Sequence, residues 1–201
     1  METERDVDSA MIRMRPPKIT VRSLWLDIIK EVFEDNNENV PRYLTLPGSE
    51  GFDIQMLIDH GIVSLTEVGA IAEEYHSLLI AVERSDNAVI NLKRKYPGLK
   101  VRETDFSNIV HSDSITGWPQ GDDRNLCRAK IVNLDLNNHF EATISDGNIS
   151  FPLITWIHKI SRLHTIEPRI DWFLFLTLHA EILWSDDVVT FIGEFLNENL
   201  H

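Results

Sequence analysis

The residues whose types and spacing could do chemistry fall in four places, and the first is a turn. Pro47-Gly48-Ser49-Glu50-Gly51 breaks the apolar run of residues 42–46, and Ile54, Leu57, Ile58 and Ile62 then follow at steps of three or four. This predicts a short buried strand, a tight turn and a helix start. Glycine lets the backbone approach a ligand closely, and the first amides of a helix have no partners within it, so such a turn suits a phosphate or a nucleoside. An ordinary strand-to-helix loop has the same Gly-x-x-Gly spacing. Second, Glu83 ends the apolar run of residues 77–83. An acid there is costly to bury unless something bonds it, and in doubly wound folds it bonds ribose hydroxyls; a solvated strand end is the plain alternative. Third, Asp105 and Phe106 close residues 99–106, where Asp105 equally fits a helix cap. Fourth, Asn133, Asp135, Asn137 and Asn138 cluster at the end of residues 129–136 and just beyond.

These groups need a scaffold, and the pattern between them supplies one. Residues 21–35 carry Leu24, Trp25, Ile28, Ile29, Val32 and Phe33 at helical spacing, ahead of the first strand. Ser64-Leu65-Thr66-Glu67 reads as a capping box, so residues 65–75 are expected to form a second short helix before the second strand. Ser85-Asp86-Asn87-Ala88 caps a helix that stops at Tyr96-Pro97-Gly98. Residues 100–106 read as the third strand, 107–128 as loop or short helix, and 131–136 as the fourth strand. Pro152 starts a helix over residues 151–163 with Leu153, Ile154, Trp156, Ile157 and Ile160 on its apolar face. Residues 170–178 form the most apolar run. They predict a fifth, central strand buried on both faces, with Trp172, Phe173 and Phe175 in the core. A last helix is expected over residues 186–200, capped by Ser185-Asp186-Asp187. Five apolar runs alternating with helical stretches give an α/β fold: a doubly wound, mostly parallel sheet of about five strands.

In order and spacing, residues 40–185 resemble the class I S-adenosylmethionine-dependent methyltransferases. The matching features are a glycine turn after the first strand, an acid ending the second, Asp-Phe after the third and an Asn/Asp cluster ending the fourth. The resemblance implies a Rossmann-like fold with S-adenosylmethionine lying across the carboxyl ends of the strands. Pro47, Gly48 and Gly51 would then lie at its methionine part, Glu83 at its ribose, Asp105 and Phe106 at its adenine, and Asn133 beside it. Asp135 and Asn137 would face the methyl acceptor. The Pro-Pro-aromatic motif of the amino methyltransferases is absent from Asn133-Leu134-Asp135-Leu136, so the acceptor stays open. A catalytically inactive methyltransferase-like module that binds a protein partner is the alternative, and a nicotinamide-dependent enzyme is disfavoured by the missing third glycine.

Composition narrows the function classes. The 201 residues suit one domain, with 1–18 as a flexible arm and 19–201 as the folded unit. A net charge of -13 works against a large nucleic-acid footprint. The sequence has no membrane-length apolar run and its first residues do not read as a signal peptide, so a cytoplasmic protein is expected. Cys127, the single cysteine, is expected to be a small packed side chain. The spacings of His139, His158, His164 and His179 match no helical ligand pair, so no metal site is expected. The family's terminal hairpin is not found, so either the sheet stops at about five strands or the 201 residues are part of something longer. A homodimer or a protein partner covering the fifth strand or the last helix is expected.

Overall fold

The computed structural model describes residues 24–34, 41–135, 143–145, 148–150, 152–166 and 171–177. The elements run α1 (Leu26–Glu34), β1 (Tyr43–Thr45), α2 (Phe52–Asp59), a 3-10 turn (Glu73–Tyr75), β2 (Leu79–Glu83), α3 (Asp86–Lys95), β3 (Lys100–Glu103), α4 (Phe106–Val110), α5 (Gly121–Leu126), β4 (Ile131–Asp135), β5 (Thr143–Ser145), β6 (Asn148–Ser150), α6 (Pro152–Ile166) and β7 (Phe173–Thr177). Five strands form one sheet in the order β3-β2-β1-β4-β7, every neighbouring pair parallel. This is a Rossmann-like α/β arrangement, as the alternation of apolar runs requires. A separate antiparallel pair, β5 with β6, lies between β4 and α6 in the chain and has no counterpart in the sequence expectations.

The register sorts side chains onto two faces because successive residues of a strand point opposite ways. Tyr43, Leu79, Ala81, Ile131 and Phe175 meet Ile29 of α1, Ile54 and Leu57 of α2, and Leu92 of α3. On the other face Leu44, Ile80, Val82, Val132 and Leu134 meet Phe106 and Ile109 of α4, Leu126 of α5, and Ile160 and Leu163 of α6. Tyr43, Leu44, Ile131 and Val132 are wholly buried, which is why β1 and β4 read as unbroken apolar runs rather than alternating ones.

Two expectations are corrected. The capping box at Ser64 starts no helix. Thr66 N donates to Ala70 O at 2.7 Å, Gly69 closes the turn at φ 78, and Leu65 bridges Ile71 in antiparallel fashion. Ser64 Oγ instead reaches Glu74 Oε1 at 3.5 Å. The glycine stabilises a reversal that a helix could not contain. The run at 170–178 is not central: β7 is the last strand of the sheet among the described residues. Phe175 is buried and stacks on Trp25 at 4.3 Å between centroids, but Phe173 is 40% exposed and Trp172 is half-buried against His164. Among the described residues β7 is paired on one side only and has fewer neighbours above and below it, so apolar composition does not ensure burial there. The expected last helix and the arm lie outside the described residues.

Candidate functional site

The chain runs from β1 outward to β2 and β3, then returns past β1 to lay down β4 and β7. The strand order therefore reverses between β1 and β4, and in open α/β sheets ligands bind at such a reversal, outside the carboxyl ends of the strands. The Pro47–Gly51 turn leaves β1 at that point. Gly48 has φ 62 and Gly51 has φ 57, left-handed values that glycine adopts without steric cost. Gly51 is the N-cap of α2 and no side chain caps the helix. Gln55 N donates back to Gly51 O at 2.9 Å, so the helix is closed from its second turn on. The amides of Gly51 and Phe52 have no acceptor among the described residues.

Behind the turn stands the end of α3. The Tyr96 hydroxyl lies 3.0 Å from Gly51 O, 3.2 Å from Glu50 O and 3.3 Å from Gln55 Oε1. Burial, reinforced by Asp53, Glu50 and Asp59, pushes the Tyr96 pKa up, so the phenol keeps its proton. Lys95 Nζ donates to Glu50 O at 2.9 Å. A Cβ on Gly51 would come within 2.7 Å of the Tyr96 ring and 3.0 Å of Leu92 Cδ2. The bare α-carbon thus makes room for Tyr96.

Beneath the turn lies a buried polar cluster that sequence reasoning did not assemble. Thr45 and Asn133 are register partners on β1 and β4, and Asp53 in the first turn of α2 reaches down to both. The Thr45 hydroxyl donates to Asp53 Oδ2. Asn133 Nδ2 donates to Tyr43 Oη at 2.9 Å and to Asp53 Oδ2 at 3.2 Å, with Thr45 Oγ1 at 3.5 Å. Turning the amide over would set its carbonyl oxygen against a carboxylate, so this orientation holds. It leaves Asn133 Oδ1 buried with no partner among the described residues. The signal was present as Thr45 and Asn133 inside otherwise apolar strands, facing an acid in a helix's first turn.

The other proposed residues lie at strand ends, in a helix cap and in the core. Glu83 and Asp135 each stand two residues beyond the Ala81–Thr45–Asn133 row, on either side of the turn. Glu83 Oε1 accepts from Arg84 N at 2.9 Å and Ser85 N at 3.0 Å. This fixes the carboxylate and leaves Oε2 as an open acceptor. Asp105 caps α4 by accepting from Ser107 N at 2.8 Å, with Arg84 at 3.4 Å. Burial alone would raise its pKa, but the Ser107 bonds and the Arg84 charge outweigh that and hold it below the usual carboxylate value. Phe106 is buried in the core and meets Trp156 edge-on at 5.4 Å. Pro47, Gly48 and Gly51 are packed within the turn, and Asn133 lies below it. Asn137 lies outside the described residues.

An open groove of about 480 Å³ lies beside β3 between Arg102, Thr104, Asn108 and Asp123, away from the turn. Another, of about 300 Å³, runs between Ser49 and Glu50 and the Asn91, Arg94 and Lys95 side chains of α3. Among the described residues no group of three or more His, Cys, Asp or Glu side chains is placed to hold a metal ion, and no helix is long and apolar enough to cross a membrane. His164 is buried, Nδ1 at 2.9 Å from Ile160 O and Nε2 at 3.1 Å from Ala129 O; its desolvation lowers its pKa despite the two carbonyls. Cys127 is fully buried, its thiol pushed up to about 12 by desolvation first and Asp123 second. Comparison with protein-family models, with curated proteins and with solved structures finds no match.

Proposed function

We propose that this protein binds a nucleoside cofactor, S-adenosylmethionine, at the carboxyl edge of its sheet and transfers the methyl group to an acceptor molecule. The observation that carries the proposal is the uncapped left-handed turn at the strand reversal, with the Gly51 and Phe52 amides free. Such amides, at the positive end of a helix, suit the carboxylate of an amino-acid moiety. Glu83, held by its own loop with Oε2 open, suits a ribose hydroxyl. Asp135 and Asn137 are assigned to the acceptor side from the resemblance. The sulfonium of the cofactor is already a good leaving group. The chain's task is to hold donor and acceptor in line while the methyl passes to the nucleophile, the sulfur becomes a neutral thioether and the acceptor gives up a proton.

A second proposal, an inactive module that binds a protein partner, draws on one observation. Asp105, Phe106 and the space at Gly51 are all engaged by the protein itself. Calorimetry with S-adenosylmethionine and, separately, with NAD separates the two. Uptake of S-adenosylmethionine alone supports the methyltransferase; heat from NAD alone reassigns the site; no heat from either supports the inactive module.

A further inference from the structure

We infer that Tyr96 and Lys95, at the end of α3, are positioning residues that hold the Pro47–Gly51 turn in its ligand-ready form. This rests on the nucleoside-binding proposal and adds to it two residues that never touch the ligand. The carbonyl of one residue and the N–H of the next share a peptide plane and point in opposite directions. Anchoring Glu50 O and Gly51 O to α3 therefore aims the Gly51 and Phe52 amides away from α3. Neither of these amides has an acceptor among the described residues.

The anchor has the right chemistry for a permanent tether. Three oxygens surround one Tyr96 hydroxyl proton, with Gly51 O the nearest at 3.0 Å. Lys95 supplies a further donor to Glu50 O, so each of the two carbonyls has a donor of its own. The ring of Tyr96 fills the space that a side chain on Gly51 would take. Turn and tether thus specify each other across 45 residues of chain. The alternative is that the hydroxyl merely satisfies buried carbonyls and that the turn would keep its shape without it.

Tyr96→Phe keeps the ring and removes the hydroxyl, and Lys95→Met removes the second donor while keeping the length. Both are measured in the full chain by hydrogen exchange resolved at Gln55, whose amide donates to the tethered Gly51 O, and by calorimetry with S-adenosylmethionine. The expected result for Tyr96→Phe is exchange at the Gln55 amide about tenfold faster, and affinity about tenfold weaker, with exchange in β2 and β4 unchanged. Lys95→Met should show the same pattern to a smaller degree. Unchanged Gln55 exchange in both variants, or unchanged affinity where the wild type binds, overturns the inference. A wild type that takes up no S-adenosylmethionine overturns the proposed cofactor instead, and the two failures stay distinct because the exchange measurement needs no ligand.

Discussion

Three strand-to-helix turns leave the same edge of the sheet, and they end differently. The turns after β2 and β3 are closed by their own side chains: Ser85 accepts from Ala88 N at 3.5 Å, Glu83 from two loop amides, and Asp105 from Ser107 N. The turn after β1 has no such cap; its glycines leave the amides bare and its carbonyls are tied to a neighbouring helix. The helices that follow β2 and β3 are thus capped by side chains, and the helix that follows β1 at the strand reversal is not. The closed turns contribute to folding, whereas the open one retains unsatisfied donors whose natural complement is an external oxygen.

The largest effect that would sharpen this contrast is expected at Gly51. Gly51→Ala combines a left-handed φ with contact against Tyr96 and should cost about 3 kcal/mol in urea unfolding. Gly61→Ala, at φ 68 but with nothing within 4 Å of its Cβ, should cost about 1 kcal/mol. Equal costs at the two sites would mean that Tyr96 does not define the turn. Next comes Glu83→Ala, expected to leave the fold intact and weaken S-adenosylmethionine binding by about 1.5–3 kcal/mol in titration calorimetry. A folded variant with undiminished affinity removes the ribose assignment.

Asp105→Ala should behave in the opposite way, losing about 1 kcal/mol of stability with cofactor affinity untouched. A loss of affinity there would show that the closed turn also serves the ligand. The smallest expected effect is the pH dependence of the same cap. The folded pKa of Asp105 lies below its unfolded value, so its contribution is complete above about pH 4 and is lost as the pH falls through the folded value. Asp105→Asn keeps a cap acceptor and should flatten the acid limb of a melting-temperature profile slightly. An unaltered limb would mean that the charge contributes nothing.

Much of the architecture was legible because it rests on local pattern. Apolar runs at 43–45, 79–82 and 131–134, separated by helices, leave few topologies other than a parallel sheet covered on both faces. The site was legible only in outline. Gly51 reads correctly as a turn residue, but that Tyr96 occupies the space beside it depends on a contact 45 residues away. Asn133 reads as a member of the polar Asn/Asp cluster that ends the fourth strand. In the fold it points under α2, because its strand is covered on both faces and its register partner is Thr45. Phe106 reads as the partner of Asp105 in a two-residue motif; that it packs against Trp156, 50 residues on, is a contact the sequence does not show. The misplaced fifth strand has the same origin: composition predicts how apolar a strand is, not how many strands stand beside it.

The order of the strands also bears on how the molecule is made. Parallel neighbours cannot be joined by a tight hairpin, and here the seam between β1 and β4 brings together residues 88 apart in the chain. The unit β2-α3-β3 is local, and with α2 it can organise the turn and its Tyr96 tether early. The Thr45–Asp53–Asn133 cluster must wait until β4 arrives across that long closure, whose entropy is lost before its contacts are gained. The turn and its tether are thus joined by contacts within residues 50–96, whereas the polar floor beneath the turn depends on the closing of the seam.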